Sequence, residues 1–169
     1  VVIVGGGCIG CSVAYHLAQM GVDDVLVLER EDSIASVTTA QAAGNIGQVR
    51  SSVERILFEM DCVATYRKLQ ENLDAPPAWR ETGSIRIALT DQRMAEFRDL
   101  VANAEQAGLE VELYDHAPDN MLWPGMISEK IKGILWCPSD GYLQPVDLAN
   151  AYQHNAKVGG VKFHTGVEV

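Results

Sequence analysis

One hundred and sixty-nine residues and 18.4 kDa correspond to one ordinary domain, or to the cut end of something larger. A hydrophobic fraction of 47%, with 21% charged residues, is globular composition and not that of a disordered chain. Thirteen Lys and Arg against 23 Asp and Glu leave a net charge of −10, which repels phosphate backbones and anionic lipid heads, so neither nucleic acid nor a membrane surface is expected as a partner.

The opening run VVIVGGGCIGCSVAYHLAQMGV is apolar, but it lacks a basic leader and is interrupted by Gly5, Gly6, Gly7, His16 and Gln19. It is read neither as a signal peptide nor as a membrane span, and no other segment approaches one. The chain is expected to be soluble, in the cytoplasm or an organelle matrix. Val1 already lies in a strand pattern and Val169 still reads as strand, so a fragment is expected, with residues missing at both ends. Within it, Val1–Val4 predicts a short parallel strand buried on both faces. Cys8 to about Met20 predicts a helix with Ile9, Val13, Ala14 and Leu17 on one face, stopped by Gly21. Val25–Leu28 predicts a second buried strand ending at Glu29, which completes a right-handed βαβ unit.

Residues 31–50 change texture: SIASVTTAQAAGNIGQ is rich in small residues and has no period, the mark of a functional or disordered loop. From Ser51 an amphipathic helix is predicted, with Val53, Ile56, Leu57, Met60, Val63 and Ala64 on its apolar stripe, in a region ended by Pro76 and Pro77. Ser84–Leu89 alternates, Ile85, Ile87 and Leu89 against Ser84, Arg86 and Ala88, as a half-buried strand does. Asp91 to Ala107 predicts a helix closed by Gly108, and Val111–Tyr114 and Gly133–Cys137 predict further strands of the same sheet. Pro145 opens a last helix, Gly159-Gly160 breaks it, and Val161–Val169 alternates as a strand.

Gly5, Gly7 and Gly10 form G-x-G-x-x-G between the first strand and its helix, and Glu29 follows Gly10 by nineteen residues at the end of the next strand. That register matches a dinucleotide fingerprint: Gly5 for the tight turn, Gly7 for close approach of a pyrophosphate, Gly10 for helix–strand packing, Glu29 for a ribose. The N–H groups at the helix start then face the phosphates. A carboxylate suits an unphosphorylated ribose, so FAD or NAD is expected rather than NADP, with Arg30 next door the one complication.

VVIVGGGCIGCSVAYHLAQMGVDDVLVLERE and TTAQAAGNIGQVRSS resemble the N-terminal half of the D-amino-acid-oxidase-like flavoproteins, nearest the sarcosine and dimethylglycine dehydrogenase branch, with glycine oxidase nearby. Trp79-Arg80-Glu81-Thr82-Gly83-Ser84, Leu122-Trp123-Pro124 and the stretch from Asp140 to Leu148 extend the likeness over essentially the whole chain. The resemblance implies an α/β fold: a Rossmann-like FAD domain interrupted by a substrate domain on a largely antiparallel sheet that roofs the flavin. Residues 1–74 and 141–169 would belong to the first domain and 75–140 to the second. It implies FAD as cofactor, with contacts from the main chain of Cys8 and Ile9, from Glu29 and Arg30, from Thr38, Thr39, Ala43, Gly44 and Asn45, and from the main chain of Val167. Small residues and two hydroxyls in that loop suit close approach to phosphate and ring.

The branch resembles T-x-H-A-A-G where this chain has Thr39-Ala40-Gln41-Ala42-Ala43-Gly44, and there the histidine is bonded covalently to the flavin. Gln41 has no comparable nucleophilic nitrogen, so the FAD is expected to be non-covalent. The implied activity is oxidation of the C–N bond of a small amino acid or an N-methylglycine-type amine, by hydride transfer to flavin N5 and hydrolysis of the imine. A glycine or D-amino-acid oxidase activity, an NAD-dependent dehydrogenase and a catalytically inert partial dinucleotide-binding module stand as alternatives. The electron acceptor, oxygen or an electron-transfer protein, stays open, and no catalytic acid or base is named. Cys8-Ile9-Gly10-Cys11 is read as small-residue packing within the turn and not as a redox pair. His16, His116, His154 and His164 lack ligand spacing, so no metal site is expected. Arg50 is read either as a cation near the flavin or a substrate carboxylate, or as a surface charge at a helix start. Trp79, Trp123 and Trp136 are assigned to the core of the second sheet.

Overall fold

A computed structural model describes residues 1–72, 74–118 and 128–169. The elements run β1 (Val2–Val4), α1 (Cys8–Gln19), β2 (Leu26–Leu28), β3 (Asn45–Ile46), α2 (Val53–Gln70), β4 (Arg80–Glu81) and β5 (Ser84–Ala88). Then follow α3 (Asp91–Ala107), β6 (Glu112–Tyr114), β7 (Gly133–Cys137), β8 (Gly141–Tyr142), α4 (Pro145–Val158) and β9 (Lys162–His164). The mixture of helices, a parallel sheet and an antiparallel sheet is α/β in class. Leu122-Trp123-Pro124, quoted above for the family likeness, lies outside the described residues.

Two compact units emerge: Val1–Asn45 with Thr65–Arg80 and Leu143–Val169, and Ile46–Ala64 with Glu81–Tyr142. These bounds differ from the expected division, since 46–64 and 141–142 group with the second unit and 75–80 with the first. The cause lies in α2: Ile56 is in the core of the second unit, whereas Tyr66 packs against Trp79, 5.9 Å between ring centroids, in the first. Trp79 is therefore not core of the second sheet.

In the first unit β1, β2 and β9 form a parallel sheet in that order, with Ile3 beside Val27 and Val27 beside Phe163. Among the described residues β1 lies at the edge of this sheet with Val2 and Val4 exposed, where a strand buried on both faces was expected. The expected packing face of α1 also shifts. Ile9 is 82% exposed and Val13 is exposed too, while Cys11, Ala14 and Tyr15 are buried. The helix turns its small residues inward because α4 comes close, as shown by Ala18, whose Cβ would lie 2.7 Å from a Cβ on Gly159. Gly21 (φ +73) closes α1, with its N–H on Ala18 O and the Val22 N–H on Leu17 O, the two bonds of a Schellman motif. Gly160 (φ +91) ends α4 in the same way, through Lys157 O and Ala156 O.

In the second unit β5, β7 and β6 form an antiparallel sheet with β7 central, and Arg86 lies opposite Leu135. Directly opposed residues share a face, so Ser84, Arg86 and Ala88 lie with Cys137, Leu135 and Gly133. That face carries the core: Ala88, Leu135 and Cys137 cluster with Met94, Phe97 and Ala104 of α3. The apolar stripe predicted for this strand is thus on the other face, where Ile85 and Ile87 are half-buried, and Leu89 is exposed beyond the strand end. The helix selects small residues at its closest approach, since a Cβ on Gly133 would meet Met94 Sδ at 2.3 Å. On α2 the buried positions are Ile56, Val63 and Leu69, and Leu57 and Ala64 of the expected stripe are exposed. Among the described residues no helix is long and apolar enough to cross a membrane.

Candidate functional site

The site grows from the turn between β1 and α1. Gly5 has φ +102, a conformation that side-chain-bearing residues rarely adopt, and its N–H donates to Leu28 O at 2.8 Å. A Cβ on Gly10 would lie 1.9 Å from Gly5 O, so only glycine lets the first turn of α1 sit on the turn that precedes it. The first intrahelical bond is Cys11 N–H to Gly7 O, which leaves the N–H groups of Cys8, Ile9 and Gly10 ahead of the helical ladder. Thr39 Oγ1 takes the Cys8 N–H at 3.0 Å, and a Cβ on Gly7 would lie 3.4 Å from that same oxygen.

Glu29 organises the other wall. Its Oε2 accepts the Gly6 N–H at 2.6 Å and its Oε1 accepts the Glu31 N–H at 3.0 Å. Hydrogen bonds from the Glu31 main chain, ahead of those from Gly6 and Arg30, hold its pKa below the ordinary glutamate value, against a smaller opposing push from burial. Arg30 is exposed and pairs with Glu31 at 3.2 Å. The chain returns beside them: Glu29 N–H donates to His164 O, and the N–H groups of Val167 and Gly166 donate to Glu29 O and Glu31 O, each at 2.9 Å.

The loop after β2 completes the enclosure. Ala35, at φ +58, gives its N–H to Gly6 O at 3.0 Å, and Thr39–Gln41 forms one 3₁₀ turn. A cavity of about 400 Å³ opens between the strand ends and this loop, bounded by Gly5, Gly7, Glu29, Thr38, Thr39 and Val167 among others. Arg30 lines it too. Cys8, Ile9, Gly10, Gln41, Ala43, Gly44 and Asn45 do not line it. Gly44 (φ +75) packs instead against the segment ahead of α4: a Cβ there would meet Leu143 O at 2.1 Å.

Sequence reasoning did not single out Gly6, Ala35, Ser36 or Val37. The last three line the cavity, and a Cβ on Gly6 would meet Ile34 Cγ2 at 2.9 Å. For Gly6 the triple glycine was a signal, and for Ser36 a hydroxyl close to Thr38. Nothing in the residue type announces the left-handed backbone of Ala35.

The two thiols of the C-x-x-C differ in setting. Cys11 is fully buried and its Sγ donates to Gly6 O at 3.4 Å, while Cys8 is half-buried. Burial above all, then the nearby Cys8 and Glu29, pushes the Cys11 thiol up to about 12, which leaves almost no thiolate at neutral pH. In the second unit Arg50 pairs with Glu59 at 2.8 Å and donates to Val49 O, so its guanidinium is held and not a loose surface charge. Trp136 on β7 covers Gly83, where a Cβ would meet its ring at 1.9 Å. Among the described residues, no three His, Cys, Asp or Glu side chains are placed to hold a metal ion.

A glycine turn, a carboxylate clamped onto it and a hydroxyl-bearing loop around one cavity are the equipment of a protein that holds a nucleotide cofactor. The chain belongs to the FAD dependent oxidoreductase family, DAO, which matches residues 1–169. It is 32% identical over 160 residues to the mitochondrial dimethylglycine dehydrogenase of Rattus norvegicus, covering 95% of this chain and 19% of that protein. To the mitochondrial sarcosine dehydrogenase of Mus musculus it is 32% identical over 163 residues, 96% of this chain and 18% of that one. The chain therefore spans less than a fifth of these relatives. Its fold matches the crystal structure of L-proline dehydrogenase from P. horikoshii with a TM-score of 0.90 at 23% identity, over 99% of this chain and 44% of that one.

Proposed function

We propose that the protein binds FAD at the cavity of the first unit and oxidises the C–N bond of a small amino acid or an N-methylglycine-type amine. The observation that carries the cofactor reading is the meeting of Glu29 with the Gly5–Gly10 turn on one cavity. The residues fit the group: Gly5 and Gly7 line the cavity without a side chain, Gly10 lets α1 sit on the turn, and the donor set is main-chain N–H with two threonine hydroxyls. Glu29 would hold the ribose, the glycine turn that opens α1 the pyrophosphate, and Thr38 with Thr39 its oxygens. Thr39 already fixes the start of α1 through Cys8, so the loop and the turn present their donors together. Val167 would bring main chain toward the adenosine end.

Bound FAD would supply the redox chemistry, accepting a hydride from the carbon beside the neutral amine nitrogen, and the resulting iminium, or the imine where an N–H proton can leave, is hydrolysed by water. The chain's own contribution is to bind and orient. The amine reading rests on the likeness to dimethylglycine and sarcosine dehydrogenases, and Arg50 is the cation proposed for an anionic substrate carboxylate. The second unit, Ile46–Ala64 with Glu81–Tyr142, is proposed as the first part of a substrate domain.

The test uses the full-length protein. A flavin absorption spectrum after purification or after soaking with FAD is expected, and colourless protein that takes up no FAD overturns the cofactor reading. Turnover of sarcosine, dimethylglycine, glycine or D-amino acids with a dye acceptor is then expected. A yellow protein that turns over none of them leaves the cofactor assignment standing and removes the substrate class.

A further inference from the structure

In the second unit a carboxylate that no cofactor or substrate reading uses is completely buried. Asp140 has 0% exposure, and its Oδ1 accepts both the main-chain N–H of Gln48 at 2.8 Å and Gln48 Nε2 at 3.1 Å. Its Oδ2 accepts the Ser84 hydroxyl at 2.6 Å. One residue further along the same segment, Arg86 Nη2 donates to Val49 O at 2.8 Å, and Arg50 Nη1 donates to that same oxygen at 3.0 Å. A Cβ on Gly47 would lie 3.4 Å from Asp140 Oδ2 and 3.8 Å from both Arg50 Nη1 and Arg86 Nη2, so this position is lodged inside the cluster.

Residues 47–50 belong to no helix or strand, yet Gln48 and Val49 are buried. Their main-chain polar groups must still be satisfied. Here the N–H of Gln48 and the C=O of Val49 are met by ionic side chains from Asp140 and Arg86, reached across 92 and 37 residues of sequence. Burying a carboxylate and half-burying a guanidinium for this is costly, and well-packed apolar residues stabilise a core at least as well. What such a network adds is direction: charges hydrogen-bonded to the main chain at both Gln48 and Val49 favour one arrangement of the segment. The residue that follows the clamped pair is Arg50. Burial, then the charge of Arg50, depresses the pKa of Arg86, and Asp140 opposes this, so the three groups sense one another.

We infer that Asp140, together with Arg86 and Ser84, is a positioning device that clamps the 47–49 segment and thereby sets the guanidinium of Arg50. The inference rests on the reading of Arg50 as the cation for a substrate carboxylate. Asp140 acts through Arg50 and is itself no catalytic residue.

The experiment uses full-length holoprotein with Asp140→Asn, Ser84→Ala, Arg50→Ala and the double variant Asp140→Asn/Arg50→Ala. Asp140→Asn keeps the side-chain shape and removes the charge. Amide exchange in peptides spanning 46–50 is expected to quicken at least about tenfold while that of α4 is unchanged. KM for the carboxylate substrate is expected to rise about tenfold with kcat altered less than about threefold. In the Arg50→Ala background the same change is expected to add less than about twofold, because the two act as one unit. Multiplying effects, or unchanged exchange at 46–50, overturn the inference. Should Asp140→Asn fail to fold, Ser84→Ala removes one donor and leaves the carboxylate in place. A smaller KM rise with the same non-additivity is then expected, and additivity overturns the inference again. The exchange measurement needs no substrate, so failure of the proposed amine chemistry is told apart from failure of the clamp.

Discussion

Glu29 Oε2 accepts the Gly6 N–H at 2.6 Å, so the carboxylate that ends β2 holds in place the glycine turn that ends β1. One side chain thus joins the two strand ends between which the cavity opens. Its other oxygen takes the Glu31 N–H, and both bonds favour the ionised form.

The sign of the resulting pH dependence follows from linkage. A carboxylate whose folded pKa is depressed contributes stability that is present above its ordinary value, 4.5, and is lost as pH falls through the lower folded value. The difference in thermal midpoint between the wild type and Glu29→Gln is therefore expected to be constant from about pH 6 to 8 and to close as the solution is acidified below about 4.5. A difference that persists unchanged at roughly pH 3 would show that charge at position 29 is not what holds the turn.

Gly10 and Gly21 separate two uses of glycine. A Cβ on Gly10 would lie 1.9 Å from the main-chain oxygen of Gly5, whereas a Cβ on Gly21 meets nothing within 4 Å and faces only its φ of +73. Gly10→Ala is expected to destabilise the protein by at least about 2 kcal/mol, through overpacking against backbone that cannot give way. Gly21→Ala is expected to cost about 1 kcal/mol, from the left-handed conformation alone. Thermal midpoints measured on both variants check the order, and equal losses would mean that α1 does not rest on the turn as described.

The helices of this chain were legible because their ends carry explicit chemistry. Thr90 Oγ1 accepts the Arg93 N–H at 3.1 Å to open α3, Gly108 closes it in the left-handed region, and Pro145 begins α4 at a position that needs no N–H. Which face of an element is buried was less legible, and the reason recurs. Where α1 meets α4 and where α3 meets β5 and β7, close approach selects Cys11, Ala14, Ala88 and Gly133. Hydrophobic periodicity gives weight to Ile9, Val13, Ile85 and Leu89 instead. The glycine turn and Glu29 were readable because their spacing is local. Asp140 was not: one carboxylate in a turn has no period, and its partner Gln48 is 92 residues away.

The cysteines test whether C-x-x-C is packing or redox machinery. Burial, then the charge of Asp140, also raises the Cys137 thiol to about 12. At pH 8 such a thiol is only about one part in ten thousand thiolate, so the folded protein is expected to leave Cys11 and Cys137 unalkylated by iodoacetamide until urea is added. Peptide mass mapping reads the result. Labelling of Cys11 in the folded state, or recovery of a Cys8–Cys11 disulfide peptide, would restore the redox reading.

Gln41 ends the 3₁₀ turn Thr39–Gln41, and its side chain is exposed. A carboxamide nitrogen shares its lone pair with the carbonyl and offers no acceptor or nucleophile comparable to an imidazole nitrogen. Denaturing the full-length holoprotein in acid is therefore expected to leave the yellow colour in the supernatant. Gln41→His introduces an imidazole nucleophile on a turn already pinned through Thr39 to the start of α1. In that variant part of the flavin is expected to stay with the acid pellet. Colour retained in the wild-type pellet would overturn the non-covalent assignment outright. Complete release from both proteins would instead mean that the geometry around residue 41, and not its nucleophilicity, decides attachment.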